Sequence, residues 1–284
     1  MTGSREADSP RVFITGGASG LGRALAERYA EAGYRVCIGD IHEERGRETL
    51  AALSAHGVGA HFQHCDVTQA ADLASAAEWL AASWGGVDVV INNAGVAACG
   101  GIGELSIADW QWIVDINVLG VVRGCQAFLP IFLRQGRGHF VNVASVAGLV
   151  HPAQMSAYCA TKAAVVAISE SLRIELEPDR INVSVVCPSF FRTNLTESLR
   201  SGNDEIARAT HAMVDRSRTT PEEIAAIVYE GVARGDLHIV THADGRFAWR
   251  LKRFAPVSLY LRLMRKSTQD MLLRGKPDHR RVRP

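Results

Sequence analysis

From Arg11 to Val240 two hydrophobic rhythms alternate along the chain. Short runs are apolar at successive positions, such as "VVIN" (89–92) and "FVNV" (140–143). Such runs read as strands covered on both faces. Between them lie longer stretches with apolar residues every three or four positions, the spacing of a helix with one buried stripe. The pattern predicts strands at 11–17, 34–40, 60–67, 87–95, 138–145, 180–188 and 237–240. It predicts helices at 21–33, 43–57, 71–85, about 107–134, about 153–177 and 221–235. Gly33 and Gly57 stand where helices stop, and Pro221 stands where one starts.

Strict β-α alternation implies parallel strands joined by crossover helices. The expected fold class is α/β: a Rossmann-type doubly wound parallel sheet of about seven strands with helices on both faces. Residues 1–10 read as a flexible N-terminus. Residues 11–242 read as one domain that includes a substrate lid at 190–220, and 243–284 as a basic amphipathic C-terminal extension.

Composition is ordinary for a globular chain, with 47% hydrophobic and 21% charged residues, and a net charge of +1 gives no general pull toward nucleic acid. The charge is unevenly placed, however. From Gly245 onward nine Arg and three Lys face two Asp, a net of +10, which leaves −9 for residues 1–244. The six cysteines form no C-x-x-C pair and sit in apolar stretches, as buried reduced thiols do. The start "MTGSREADSPR" shows no apolar leader core, and no uninterrupted apolar run reaches the ~18 residues of a membrane span. These signs point to a cytoplasmic protein. No His, Cys and carboxylate cluster has metal-ligand spacing, so no metal is expected.

"TGGASGLG" (15–22) lies where the first strand meets the first helix. Glycines 16, 20 and 22 permit a tight turn and close approach of a pyrophosphate, and the helix start offers amide N–H groups. Asp40 closes the second strand, where a carboxylate accepts ribose hydroxyls and repels a 2′-phosphate. No cation lies inside the glycine turn, so NAD is favoured over NADP. Further on, "YCATK" (158–162) sets Tyr158 and Lys162 four apart, on one face of a helix. A nearby ammonium favours a phenolate and so makes a usable acid-base group.

With these residues in view the sequence resembles the short-chain dehydrogenase/reductase family over about residues 11–242. The matching motifs are T-G-x-x-x-G-x-G (15–22), Asp40, "DV" (66–67), "NNAG" (92–95), Asn117, Ser145, "YCATK" and "PSFFRT" (188–193). The resemblance implies a catalytic set of Asn117, Ser145, Tyr158 and Lys162. In that set Tyr158 exchanges the proton and Ser145 orients the substrate oxygen. Lys162 lowers the Tyr158 pKa and holds the nicotinamide ribose, and Asn117 fixes a proton-relaying water. The implied cofactor residues are Gly16, Ser19, Gly20, Leu21, Gly22, Asp40, Asp66, Val67, Asn93, Ala94, Gly95, Tyr158, Lys162, Pro188, Phe191 and Thr193. The family usually carries Pro-Gly where this chain has Pro188-Ser189, and the added Cβ is expected to shift that loop slightly.

The implied activity is interconversion of a secondary alcohol and a ketone. The lid offers Phe190, Phe191, Leu195, Leu199, Ile206 and Met213, which favours a hydrophobic or bulky substrate. Ser145, His151, Tyr158 and Phe190 are the candidate substrate contacts. Small residues at Ala160, Ala163, Ala164 and Ala167 suit a helix paired across subunits, as in a homodimer or homotetramer. Pro256 divides the extension into two amphipathic helices, which either pack over the pocket or an oligomer interface, or touch a membrane surface. Alternatives are an NADP-dependent carbonyl reductase, an epimerase or dehydratase on the same fold, and a non-catalytic nucleotide-binding regulator. No nucleic-acid partner is expected.

Overall fold

The computed structural model describes residues 9–275. The first eight residues of the expected flexible N-terminus, and positions 276–284 of the extension, lie outside the described residues. Nine strands occur in chain order: β1 Arg11–Thr15, β2 Arg35–Asp40, β3 Ala60–His64, β4 Val89–Asn92, β5 Ala98–Cys99, β6 Gly138–Val143, β7 Ile181–Cys187, β8 Arg200–Ser201 and β9 His238–Val240. Seven of them form one parallel sheet in the order β3-β2-β1-β4-β6-β7-β9. This is the Rossmann-like α/β architecture that the alternation predicts.

Around the sheet lie α1 Gly20–Glu31, α2 Glu43–Ser54, α3 Ala70–Trp84, α4 Ile107–Val114, α5 Gly120–Gln135, α6 Ser156–Glu175, α7 Asp204–Asp215, α8 Pro221–Arg234, α9 Ala243–Phe254 and α10 Val257–Gly275. Successive strand residues point to opposite faces, so each strand feeds two cores. On one face Phe13, Cys37, Val90, Phe140 and Val185 pack under α3, α5 and α6 through Leu73, Leu80, Phe128, Phe132 and Val165. On the other, Val12, Ile14, Ile38, Ile91 and Val141 meet Leu25 and Tyr29 of α1, Leu53 of α2 and Val228 of α8. All six cysteines are buried and none is disulfide-bonded.

Two features depart from the sequence reading. The helix expected over 107–134 is continuous to Gln135, but a π-helical turn at Asp115–Leu119 separates α4 from α5. The same 107–135 stretch is long and apolar enough in composition to cross a membrane. It is instead a core helix, with Val121, Cys125, Phe128, Ile131 and Phe132 buried against the sheet. The 190–220 segment expected to form a lid also contains unpredicted structure. Its β8 pairs in parallel with β5, Arg200 forms an ion pair with Asp109 at 3.1 Å, and the Arg200 guanidinium lies 3.9 Å from the Trp112 ring centre.

Strand order reverses between β1 and β4, since β1 continues to β2 on one side and later strands extend from the other. The crevice beyond the carboxyl ends of strands at such a reversal is where open α/β sheets bind ligands.

Candidate active site

A cavity of about 790 Å³ opens at that crevice. Its lining joins the glycine turn (Gly16, Ser19, Gly20, Leu21) to Asp40, Asp66, Val67, Asn93, Ala94 and Gly95. Beyond these come Ser145, Tyr158 and Lys162, then Pro188, Phe190, Phe191 and Thr193. Gly22, Asn117 and His151 are not in that lining.

The turn is compressed. Gly16 has φ +65° and Gly20 φ +51°, in the left-handed region that favours glycine. A Cβ on Gly22 would lie 2.0 Å from the Gly16 carbonyl oxygen, so Gly22 acts one layer behind the cavity wall. Asn93 fastens the turn to β4. Its Nδ2 donates to the carbonyls of Thr15 at 2.9 Å and Gly16 at 3.1 Å, while its backbone N–H donates to Thr15 Oγ1 at 3.0 Å. Asp40 is buried at the tip of β2 and accepts from the backbone N–H groups of Ala18 and His42, each at 3.0 Å. A carboxylate has about four acceptor positions, so two hydrogen bonds leave capacity for hydroxyl groups. Asp66 accepts from Thr68 N and Thr68 Oγ1 at 2.9 and 2.8 Å, which fixes the turn after β3.

Beyond the ends of β6 and β7, Ser145 Oγ accepts from Ala147 N at 3.1 Å and donates to Pro188 O at 3.3 Å. Turned away from Pro188 O, the same hydroxyl can donate to the Tyr158 oxygen instead. Lys162 Nζ donates to Val143 O at 2.9 Å and stands 5.8 Å from the centre of the Tyr158 ring. Both side chains are buried. Here burial acts against the lowering of the Tyr158 pKa expected from Lys162. Burial pushes the phenol up to about 12, against a smaller opposing effect of the Ser145 hydrogen bond. Burial likewise pulls the Lys162 ammonium down to about 8. In this buried pocket desolvation penalises the charged form of each group.

Asn117 sits in the π-turn and is buried. Its amide pairs with the Val96 backbone in both directions, Nδ2 to Val96 O at 2.9 Å and Val96 N to Oδ1 at 2.8 Å, and Nδ2 also reaches Thr161 Oγ1 at 3.2 Å. The Asn117 side chain therefore holds the strand-end loop against α6. Its Oδ1 would lie 3.1 Å from a Cβ on Gly95, and Lys162 Nζ 3.4 Å, so Gly95 leaves room where these groups converge.

His151, expected at the substrate, faces elsewhere. Its Nδ1 lies 3.0 Å from Ala147 O and its Nε2 2.8 Å from Lys252 Nζ, a cation brought in by α9. Since Lys252 can only donate, Nε2 accepts and Nδ1 carries the hydrogen given to Ala147. Ser189 shows no left-handed φ, so its Cβ strains nothing, and its N–H donates to His242 Nδ1 at 3.2 Å. The loop shift expected from this serine has no steric cause here.

Sequence reading missed part of the cavity wall. Gly245 and Ala248 of α9 and Met264 of α10 line it, together with Val96, Ala97, Val150, Pro152 and Met155. Two anchors hold the extension there: Lys252 Nζ donates to Leu149 O at 2.7 Å, and the buried Tyr260 accepts at its hydroxyl from His151 N at 3.1 Å.

Glycine turn, acidic β2 tip and a Ser-Tyr-Lys cluster thus share one crevice. Residues 10–204 match the family described as short chain dehydrogenase. The chain belongs to the short-chain dehydrogenase family. It is therefore an NAD(P)-dependent oxidoreductase acting on CH–OH groups. The chain is 37% identical over 188 residues to a 2,5-dichloro-2,5-cyclohexadiene-1,4-diol dehydrogenase of Sphingobium indicum, covering 66% of this chain and 75% of that one. It is 32% identical over 248 residues to a C alpha-dehydrogenase of Sphingobium sp., covering 83% and 81%. A Burkholderia phymatum short chain dehydrogenase/reductase solved in complex with NAD superposes with TM-score 0.83 at 31% identity, over 87% of this chain and 94% of that one.

Proposed function

We propose that this short-chain dehydrogenase uses NAD to interconvert a bulky, largely apolar secondary alcohol and its ketone. The observation that carries the cofactor choice is the pairing around Asp40. Its buried carboxylate stands where the adenosine ribose would lie. The nearest cation on the following helix, Arg45, is committed to Glu197 at 2.8 Å. A 2′-phosphate would thus meet a carboxylate and find Arg45 already paired. The Sphingobium diol dehydrogenase is a relative whose name denotes dehydrogenation of an alcohol.

The cradle of Gly16, Gly20 and Gly22, with the α1 N-terminus behind it, fits a dinucleotide pyrophosphate. A bound nicotinamide would supply the hydride acceptor and, when oxidised, a positive charge. In oxidation Tyr158 Oη takes the carbinol proton, and in reduction it returns it. Ser145 Oγ donates to the substrate oxygen and holds it beside Tyr158. Lys162 places a cation next to that proton transfer. Apolar groups from α9, α10 and the lid exclude water.

Initial rates on a panel of secondary alcohols of increasing ring size, with NAD⁺ and NADP⁺, test this reading. NAD⁺ should be preferred, and Asp40→Ser should raise KM for NAD⁺ about 10- to 100-fold, the effect of losing hydrogen bonds to a charged acceptor. A preference of the wild type for NADP⁺ overturns the cofactor assignment. Met264→Trp should raise KM for multi-ring alcohols by roughly tenfold, through loss of cavity space, and leave small alcohols unchanged. Equal effects on large and small substrates would remove Met264 from the substrate wall.

A further inference from the structure

The outer face of the extension has a different character from its inner face. Phe247 and Phe254 are 69% and 81% exposed and lie seven positions apart on α9. Seven residues are close to two helical turns, so the two rings share one stripe. On α10 Leu259, 42% exposed, lies with Arg262 and Lys266 on the side turned away from Met264. Around them stand exposed Arg246, Arg250, Arg253, Arg262, Arg265 and Lys266, and the one acid between Gly245 and Gly275 is Asp270.

Surface apolar residues usually occur singly in soluble proteins. Exposed Phe side chains interleaved with long cationic ones match an interfacial helix, whose rings enter the acyl boundary while Arg and Lys stems reach back to headgroups. The charge distribution also orients the molecule. Residues 1–244 carry −9 and residues 245–275 carry +7, so an anionic plane attracts the helical extension and repels the rest.

We propose that the outer face of α9 and α10 docks the enzyme on an anionic lipid surface. The inner face of the same helices walls the cavity through Gly245, Ala248 and Met264. Docking therefore brings the cavity within about one helix diameter, ~10 Å, of the bilayer. The enzyme draws apolar alcohols from, or returns ketones to, that phase. This last step presumes the apolar substrate class proposed above, whereas lipid docking itself does not.

Sedimentation of the full-length chain with vesicles tests the docking. One set is pure phosphatidylcholine, and a second contains about a third phosphatidylglycerol. The wild type should sediment with the anionic vesicles only, and less as salt rises. Phe247→Ser/Phe254→Ser and Arg250→Glu/Arg253→Glu should each weaken binding at least about tenfold, given the apolar area and charge removed. Both variants change exposed side chains outside the cavity lining and should keep wild-type rates on a water-soluble alcohol. A failed catalytic reading is thus separable from failed docking. Absence of binding to anionic vesicles, or unchanged binding by both variants, overturns the proposal. If either variant instead dissociates a lipid-free oligomer in sedimentation velocity, the face joins a second copy and the proposal also falls.

Discussion

Tyr158→Phe is expected to lower kcat by about 10²- to 10⁴-fold, the usual contribution of a positioned acid-base group. Only the hydroxyl is removed. The ring stays buried among Ala97, Met155 and Ile206, so fold and cofactor affinity should survive. Circular dichroism and a cofactor titration check that survival, and steady-state rates check the loss. The pH profile supplies a second readout. In oxidation the base is the phenolate, whose formation burial opposes by raising the phenol to about 12. Wild-type kcat/KM for alcohol oxidation should therefore climb as pH rises, while ketone reduction, which needs the phenol, should not. The positive charge of an oxidised nicotinamide would bring the climb to lower pH. The Phe variant should lack this limb altogether. A variant that keeps more than about a tenth of the activity is incompatible with Tyr158 as the proton carrier.

Gly22→Ala should weaken cofactor binding by about 10- to 100-fold, in the range of the 1–3 kcal/mol typical of overpacking. The obstacle is space, not dihedral strain, since Gly22 is not among the positive-φ glycines. An added methyl would meet Gly16 O at 2.0 Å and Asn93 Nδ2 at 2.6 Å. Those are the two groups that close the turn onto β4, so relief of the collision opens the pyrophosphate cradle. Gly103→Ala, where an added Cβ meets nothing within 4 Å, is the control and should bind cofactor as wild type does. Fluorescence titration with reduced cofactor distinguishes the two. Wild-type affinity in Gly22→Ala would mean the turn is far softer than its contacts suggest.

What could be read from the sequence was what is local along it. Contiguous apolar runs and the 3.6-residue rhythm place every strand of the main sheet, because most of these strands bury both faces, although β3 is only partly buried. The glycine turn and Asp40 stand at fixed offsets from those strands. Strand ends were read too long. "ITGG" and "INNAG" continue the β-like composition, but hydrogen-bonded pairing stops at Thr15 and Asn92. Beyond those points the chain turns to form the cavity rim, which a composition window cannot distinguish from strand.

The unread features depend on neighbours distant in the chain. β5 and β8 have two residues each, too few for any rhythm, and pair across a hundred positions. His151 and Lys252 are likewise about a hundred residues apart, so nothing near "LVHPAQ" signals that this histidine is turned away. The direction of the Tyr158 shift depends on burial from several elements, which spacing within "YCATK" does not report. The π-turn at Asp115–Leu119 leaves the apolar stripe continuous on either side and is equally silent.

The strand order has a consequence for how the chain is made. β1 leaves the ribosome before the other strands of the sheet, yet it ends in the middle of it. Val12 pairs with Val36 on one side and with Val89 on the other. At roughly 5–20 residues per second, about 4–15 s separate synthesis of Val12 from that of Val89. In the last part of that interval, once β3 has been made, a nascent β1-β2-β3 sheet presents an apolar strand with one unpaired edge. The stretch of translation before β4 emerges is where a chaperone would hold this polypeptide, and where a slowed ribosome would expose it longest to aggregation.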